Sequence, residues 1–174
     1  MGNFLTKMAT RTVVGQTKKV AGRAVKGAVA GGATKMVTKA LGLDDTLVGG
    51  VLQLGVPAMV LAAGKDESVA EKLFGNSKKK KDRKRPENAD EAEKEFASVF
   101  GPMGKVMTKA IAGETGATEK QVGGILGMML PDFEEAIAEE NPKDARGLGK
   151  MFREEDKDAR KDPSFARLAT KMIF

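Results

Sequence analysis

The chain has 174 residues, with 30 Lys or Arg against 24 Asp or Glu, eight Phe, and no Cys, His, Trp or Tyr. Without Cys and His it lacks disulfides, thiolate nucleophiles, the usual zinc ligands and the commonest general base, so an enzyme would have to work with carboxylates, Lys or Ser alone. A non-enzymatic protein with no cofactor and no metal is therefore expected, and its core must close with Leu, Val, Met and Ala, which together with the absence of any sustained period-two run predicts an all-α fold.

Residues 1–85 carry 17 basic residues against 6 acids, whereas residues 86–174 carry 13 against 18. The first half is thus the one suited to an anionic partner. Residues 1–34 make a basic amphipathic segment. At 100° per residue Arg11, Lys18, Lys19, Arg23 and Lys26 share one helical face, and Val13, Val20, Ala21, Ala24 and Ala28 share the opposite one. That apolar face is built of small residues, so it inserts weakly into a bilayer and packs closely on another helix. A solvated basic face over an ordinary packing face is the plainer alternative. Gly2 with Thr6 also fits a myristoylation pattern, and the acid-free start resembles a transit peptide; both are minor readings of short signals.

The most apolar stretch, Leu47 to Gly64, has no charge over 18 residues and would span about 27 Å as a helix. Taken alone it is long enough to approach a membrane span. Comparison with the second half of the chain argues against that. Met36-Val37-Thr38-Lys39-Ala40 returns as Val106-Met107-Thr108-Lys109-Ala110. Val48-Gly49-Gly50-Val51-Leu52 returns without gaps as Val122-Gly123-Gly124-Ile125-Leu126, and Pro57 as Pro131. Leu73-Phe74 then matches Met151-Phe152. After its proline the second copy places Asp132, Glu134 and Glu135 where the first has Ala58, Val60 and Leu61. A charge near a bilayer centre costs roughly 2.5–3.5 kcal/mol, so the second copy does not span, and a shared fold implies that the first does not either.

The expected organisation is a helical unit at 35–75, a polybasic linker at 76–86, an amphipathic helix plus second unit at 87–152, and a charged segment with a terminal helix at 153–174. Thr118 with Gln121 forms a capping-box pattern, and Asp44 occupies the equivalent place in the first unit, so a helix is predicted to start at each. Pro57 and Pro131 are predicted to break those helices or open the next, and Asn141-Pro142 to begin the last element of the second unit. The paired glycines 49–50 and 123–124 read as close-packing positions rather than as a ligand loop.

The Val-Gly-Gly, five-residue, Leu/Val-Pro pattern follows a Gly-Leu-Asp-Asp or Gly-Ala-Thr-Glu turn and ends in Leu/Met-Phe. In this it resembles the YidB-like family of small bacterial helical proteins, over about residues 36–75 and 106–152. The resemblance implies a helical fold and a bacterial source, and carries over no activity and no functional residue.

Between the units, Lys78, Lys79, Lys80, Lys81, Arg83, Lys84 and Arg85 place seven basic residues in eight positions. Self-repulsion predicts an extended, solvated segment, and a solubilising linker is its bland reading. Glu87 to Phe100 turns acidic, with Ala92, Phe96, Val99 and Phe100 at helical spacing. Arg153 to Lys161 reads as a solvated helix face. Asp162-Pro163-Ser164 reads as a helix start that leads into a stripe of Phe165, Leu168, Met172 and Ile173.

Together these features point to a helical interaction or adaptor protein that binds protein partners or itself. Its basic residues would favour an anionic surface, which places it in the cytoplasm with peripheral membrane contact. The second reading is nonspecific nucleic-acid binding through the linker and the N-terminal helix; with no Trp, Tyr or His to stack on bases, sequence-specific single-strand recognition is not expected.

Overall fold

The computed structural model describes residues 4, 5, 8, 32–79 and 84–172, with residues 32 and 33 described by backbone alone; everything below concerns these. Seven helices of nine residues or more are present among them: α1 (Gly32–Leu41), α2 (Asp45–Lys65), α3 (Glu67–Lys78), α4 (Ala89–Thr115), α5 (Glu119–Glu140), α6 (Ala145–Ala159) and α7 (Pro163–Lys171). Phe4, Leu5 and Met8 are helical as well. No strand occurs among the described residues, and the fold is all-α.

The helix starts follow local capping chemistry. Asp44 accepts hydrogen bonds from the backbone N–H groups of Thr46 and Leu47 at the head of α2. Thr118 accepts from the N–H of Gln121, and the Gln121 side chain accepts from the N–H of Thr118, which completes a capping box at α5. Asp66, Asn88, Asp144 and Asp162 cap α3, α4, α6 and α7 in the same way. Each such cap satisfies first-turn donors that lack an intrahelical partner.

The two interior prolines do not act as predicted. Pro57 lies inside α2 and Pro131 inside α5, and neither helix ends there. A helix-interior proline costs about 3 kcal/mol. Burial offsets this: 15 of the 21 residues of α2 are buried, and each fully buried Val, Leu or Met contributes about 1.5–3 kcal/mol. The break falls instead at Gly101-Pro102. Gly101 has φ 50° and ψ −130°, which splits α4 into two arms. Only glycine takes that backbone readily, and Pro102 then opens the second arm with its fixed φ. Asn141-Pro142 likewise does not begin a helix. Asn141 closes α5 with φ 48°, and α6 starts at Ala145 behind Asp144. The first unit is expected to end at residue 75, but its last helix runs on to Lys78, so the start of the predicted linker at 76–86 is helical.

The helices enclose one continuous apolar core. Its centre is the pair α2 and α5. α4 packs along α5, α6 packs on α2 and α3 packs on α5, while α2 also meets α4 and α5 also meets α1. The first and second halves of the chain therefore cover each other's long helix. α2 is the one described helix long and apolar enough to cross a membrane, with a mean hydropathy of 1.8, and 78% of that window is buried inside the protein.

Glycine controls how closely these helices approach. A Cβ on Gly127 of α5 would overlap the Ala92 carbonyl and lie 2.8 Å from its Cα, so α4 and α5 touch backbone to backbone there. A Cβ on Gly123 would lie 3.2 Å from Glu93 Cγ, and one on Gly124 3.6 Å from Ala89 Cβ. On α2, Gly55 receives the Leu126 side chain. The glycines beside the Val-Gly-Gly motif are thus packing positions.

Candidate functional site

Of the twelve basic residues singled out in the sequence, Arg11, Lys18, Lys19, Arg23, Lys26, Lys80, Lys81 and Arg83 lie outside the described residues. The remaining four fall at the two ends of the linker and differ in role. Lys78 ends α3 and holds its Nζ 5.1 Å from the Phe74 ring centroid, a cation–π distance, while remaining exposed to solvent. Lys79 and Lys84 are exposed.

Arg85 is committed inward. Its Nη1 and Nη2 donate to Asp132 Oδ2 and Oδ1 at 2.9 and 3.1 Å, and Nη1 also donates to the Met128 carbonyl at 3.1 Å. The bidentate fork is the geometry in which Arg and carboxylate bind most strongly. Arg85 is therefore corrected from an anionic-partner residue to an anchor of the linker. Asp132, one of the acids that distinguish the second copy, is its receptor. Both ends of the linker are thereby fixed: Lys78 within α3, and Arg85 on α5.

A polar cleft of about 310 Å³ lies beside this anchor, lined by Asn76, Lys79, Arg85, Asp132, Glu134 and Glu135 among others. Glu134 is 3% exposed and accepts from Asn76 Nδ2 at 3.2 Å. Opposite charges interleave in this cleft, and its buried acid is hydrogen-bonded. A second, more open cleft of about 490 Å³ has Asp44, Gln53, Glu114, Thr115 and Arg167 in its walls. Glu114 pairs there with Lys171 and, at 2.9 Å, with Arg167. The Lys171 hydrogen bond and the Arg167 charge hold the Glu114 carboxyl below the usual carboxylate range. The pairs tie α7 to α4.

No protein-family model, curated protein or solved structure matches this chain. Function therefore rests on the residues themselves. Among the described residues no cluster of three or more Asp or Glu is arranged to hold a metal ion.

One feature of the charged stretch in α6 has no local signal in the sequence. Arg153 to Lys161 is not uniformly solvated, because Glu155 on α6 is 5% exposed. Its Oε1 accepts from the Phe4 N–H at 3.2 Å, across 151 positions of sequence. Phe4 itself is fully buried, with its ring edge-on to Phe133 and Phe152 at centroid separations of 5.0 and 4.9 Å. A charge-dense helix and a remote Phe give no local signal of this meeting.

Proposed function

We propose that the protein is a non-enzymatic helical adaptor that binds protein partners and is held at an anionic surface by its basic segments. The observation that carries this reading is the linker anchored at both ends. Between helical Lys78 and the Asp132-bound Arg85 stand Lys79, Lys80, Lys81, Arg83 and Lys84, with Asp82 as the one acid among them. With Arg85 neutralised by Asp132, that stretch keeps a net positive charge for an external anion. Near an anionic leaflet each basic residue contributes about 1 kcal/mol. The reading includes an internal duplication, supported by the 74-residue offset that relates Asp44 to Thr118 and Pro57 to Pro131. Kinship with YidB-like proteins and a cytoplasmic, membrane-peripheral location belong to the same proposal. Burial of α2 within the core supports a helix that stays in the protein rather than in a bilayer.

The test is a pull-down with the full chain and with a chain whose linker basics are changed to Gln. Loss of part of the partner set with the charge supports the proposal, and an unchanged set contradicts its electrostatic half. Nonspecific nucleic-acid binding is the second reading. Salt-sensitive retention on duplex DNA, lost in the same Gln variant, would favour it.

A further inference from the structure

The Thr-Lys-Ala motif shared by the two halves is only partly explained by packing. Val37 on α1 and Met107 on α4 are 0% exposed and belong to the core. Lys35 and Lys39 stand two residues either side of Val37, and Lys105 and Lys109 two residues either side of Met107. Two residues turn a helix by about 200°, so both pairs point away from the core, and all four lysines are exposed. Within each pair the lysines are one turn apart, about 6 Å along the axis. Like charges at that spacing destabilise a helix, and nothing local compensates: none of the four has an acid partner in an ion pair among the described residues.

The two helices are short of acids as well. α1 has none in its ten residues, and the second arm of α4 has none from Pro102 to Gly113, although residues 86–174 carry 18 acids against 13 basic residues. Both helices lead into a long core helix through the same left-handed glycine turn, Gly42 at φ 63° and Gly116 at φ 78°. Counted back from those turns the pairs differ by four residues, about one helical turn, so they occupy the same side of equivalent helices. Partly exposed apolar side chains lie in the same helices and turns, Met36, Leu43 and Leu47 in the first half and Val106 and Ala110 in the second. We propose that Lys35 with Lys39, and Lys105 with Lys109, form a duplicated contact for anionic lipid headgroups. This rests on the anionic-surface reading above and adds a face of the folded body to the linker. Uncompensated ammonium groups attract such headgroups, and lysine stems beside apolar side chains suit the boundary between headgroup and acyl chain. A nucleic-acid backbone would use the charges and leave the apolar side chains without a role, which favours the lipid surface.

Binding of the full chain to vesicles of phosphatidylserine with phosphatidylcholine tests this, with pure phosphatidylcholine as the neutral control. Lys35→Gln with Lys39→Gln, and separately Lys105→Gln with Lys109→Gln, should each weaken binding about 30-fold, roughly fivefold per lysine. Lys→Arg at the same four positions should leave binding unchanged; weakening by Arg as strong as by Gln would show that charge is not what binds. The positions are exposed, so circular dichroism of all variants should match the wild type. Binding lost in the linker Gln variant but unchanged in both pair variants overturns this inference and spares the linker. Binding that survives in the linker variant and falls in both pair variants supports it and removes the linker's part. A wild type that ignores the anionic vesicles overturns both, and an effect of one pair alone overturns the duplication. Pair variants that lose retention on duplex DNA while vesicle binding is untouched would make the partner nucleic acid and overturn the inference.

Discussion

Arg85 grips Asp132 with both terminal nitrogens while also reaching the Met128 carbonyl. The pair joins the end of the basic linker to the long helix of the second half, where Asp132 stands four residues after Met128 and one after Pro131 on α5. Its side chains are 34% and 21% exposed, so solvent weakens the attraction. Arg85→Ala or Asp132→Asn should each destabilise the protein by about 1 kcal/mol, with the double variant costing little more than either single one. Chemical denaturation of all four proteins checks this. Because Arg85 is already paired, its removal should leave the salt sensitivity of any anion binding nearly unchanged.

Gly127→Ala should be among the most damaging single-methyl additions in the chain. The new Cβ would overlap backbone at Ala92, and backbone cannot rotate away. We expect a loss of about 3 kcal/mol or more through separation of α4 from α5. Gly113 offers the control: it is exposed within α4 and an added Cβ meets nothing within 4 Å. There the better helix propensity of Ala should stabilise by about 0.5–1 kcal/mol. Thermal unfolding of the two variants should shift in opposite directions.

Thr118→Ala removes one half of the capping box at α5 and should cost about 1 kcal/mol. Asp44→Ala should cost a similar amount at α2. Urea titrations of the two variants measure both, and a negligible effect at either would show that burial alone holds that helix end.

Glu155 supplies a pH dependence of unusual sign for a carboxylate. Burial raises its pKa, Asp158 adds to the rise, and the Phe4 and Leu5 N–H groups oppose it. The folded protein therefore favours the protonated form. This contribution is fully present below the unfolded value of about 4.3 and is lost as the pH rises through the folded pKa. Glu155→Gln should accordingly be more stable than the wild type at neutral pH, with the gap closing as the pH falls toward the unfolded value. Paired thermal melts across that range read the effect, and a gap that widens in acid would reverse the assignment. Glu114 behaves oppositely: its lowered pKa gives stability above the unfolded value that is lost in acid, when Lys171 and Arg167 lose their carboxylate.

What could be read from the sequence was local. The caps at Asp44, Thr118 and Asp162, the helix before Gly101 and the buried stripe of Phe165, Leu168 and Met172 all depend on neighbours within a turn or two. What was not legible depended on distant partners. Burial decides that Pro57 and Pro131 sit inside continuous helices. The identity of Asp132 decides that Arg85 faces inward, and Phe4 decides that a Glu in a charge-rich helix is buried. Ile173 and the basic face from Arg11 to Lys26 lie outside the described residues.

The central claim is that the basic residues around the anchored linker hold the protein at an anionic surface. Its most direct test is co-sedimentation of the full chain with phosphatidylserine-containing and with neutral phosphatidylcholine vesicles, across a salt series. The parallel variant carries Gln at Lys78, Lys79, Lys80, Lys81, Arg83 and Lys84. The account predicts binding to the anionic vesicles alone, falling with salt and weakened by several orders of magnitude in the variant, since each basic residue is worth about 1 kcal/mol there. Equal binding of the wild type and the variant, or binding that ignores lipid charge, would contradict it.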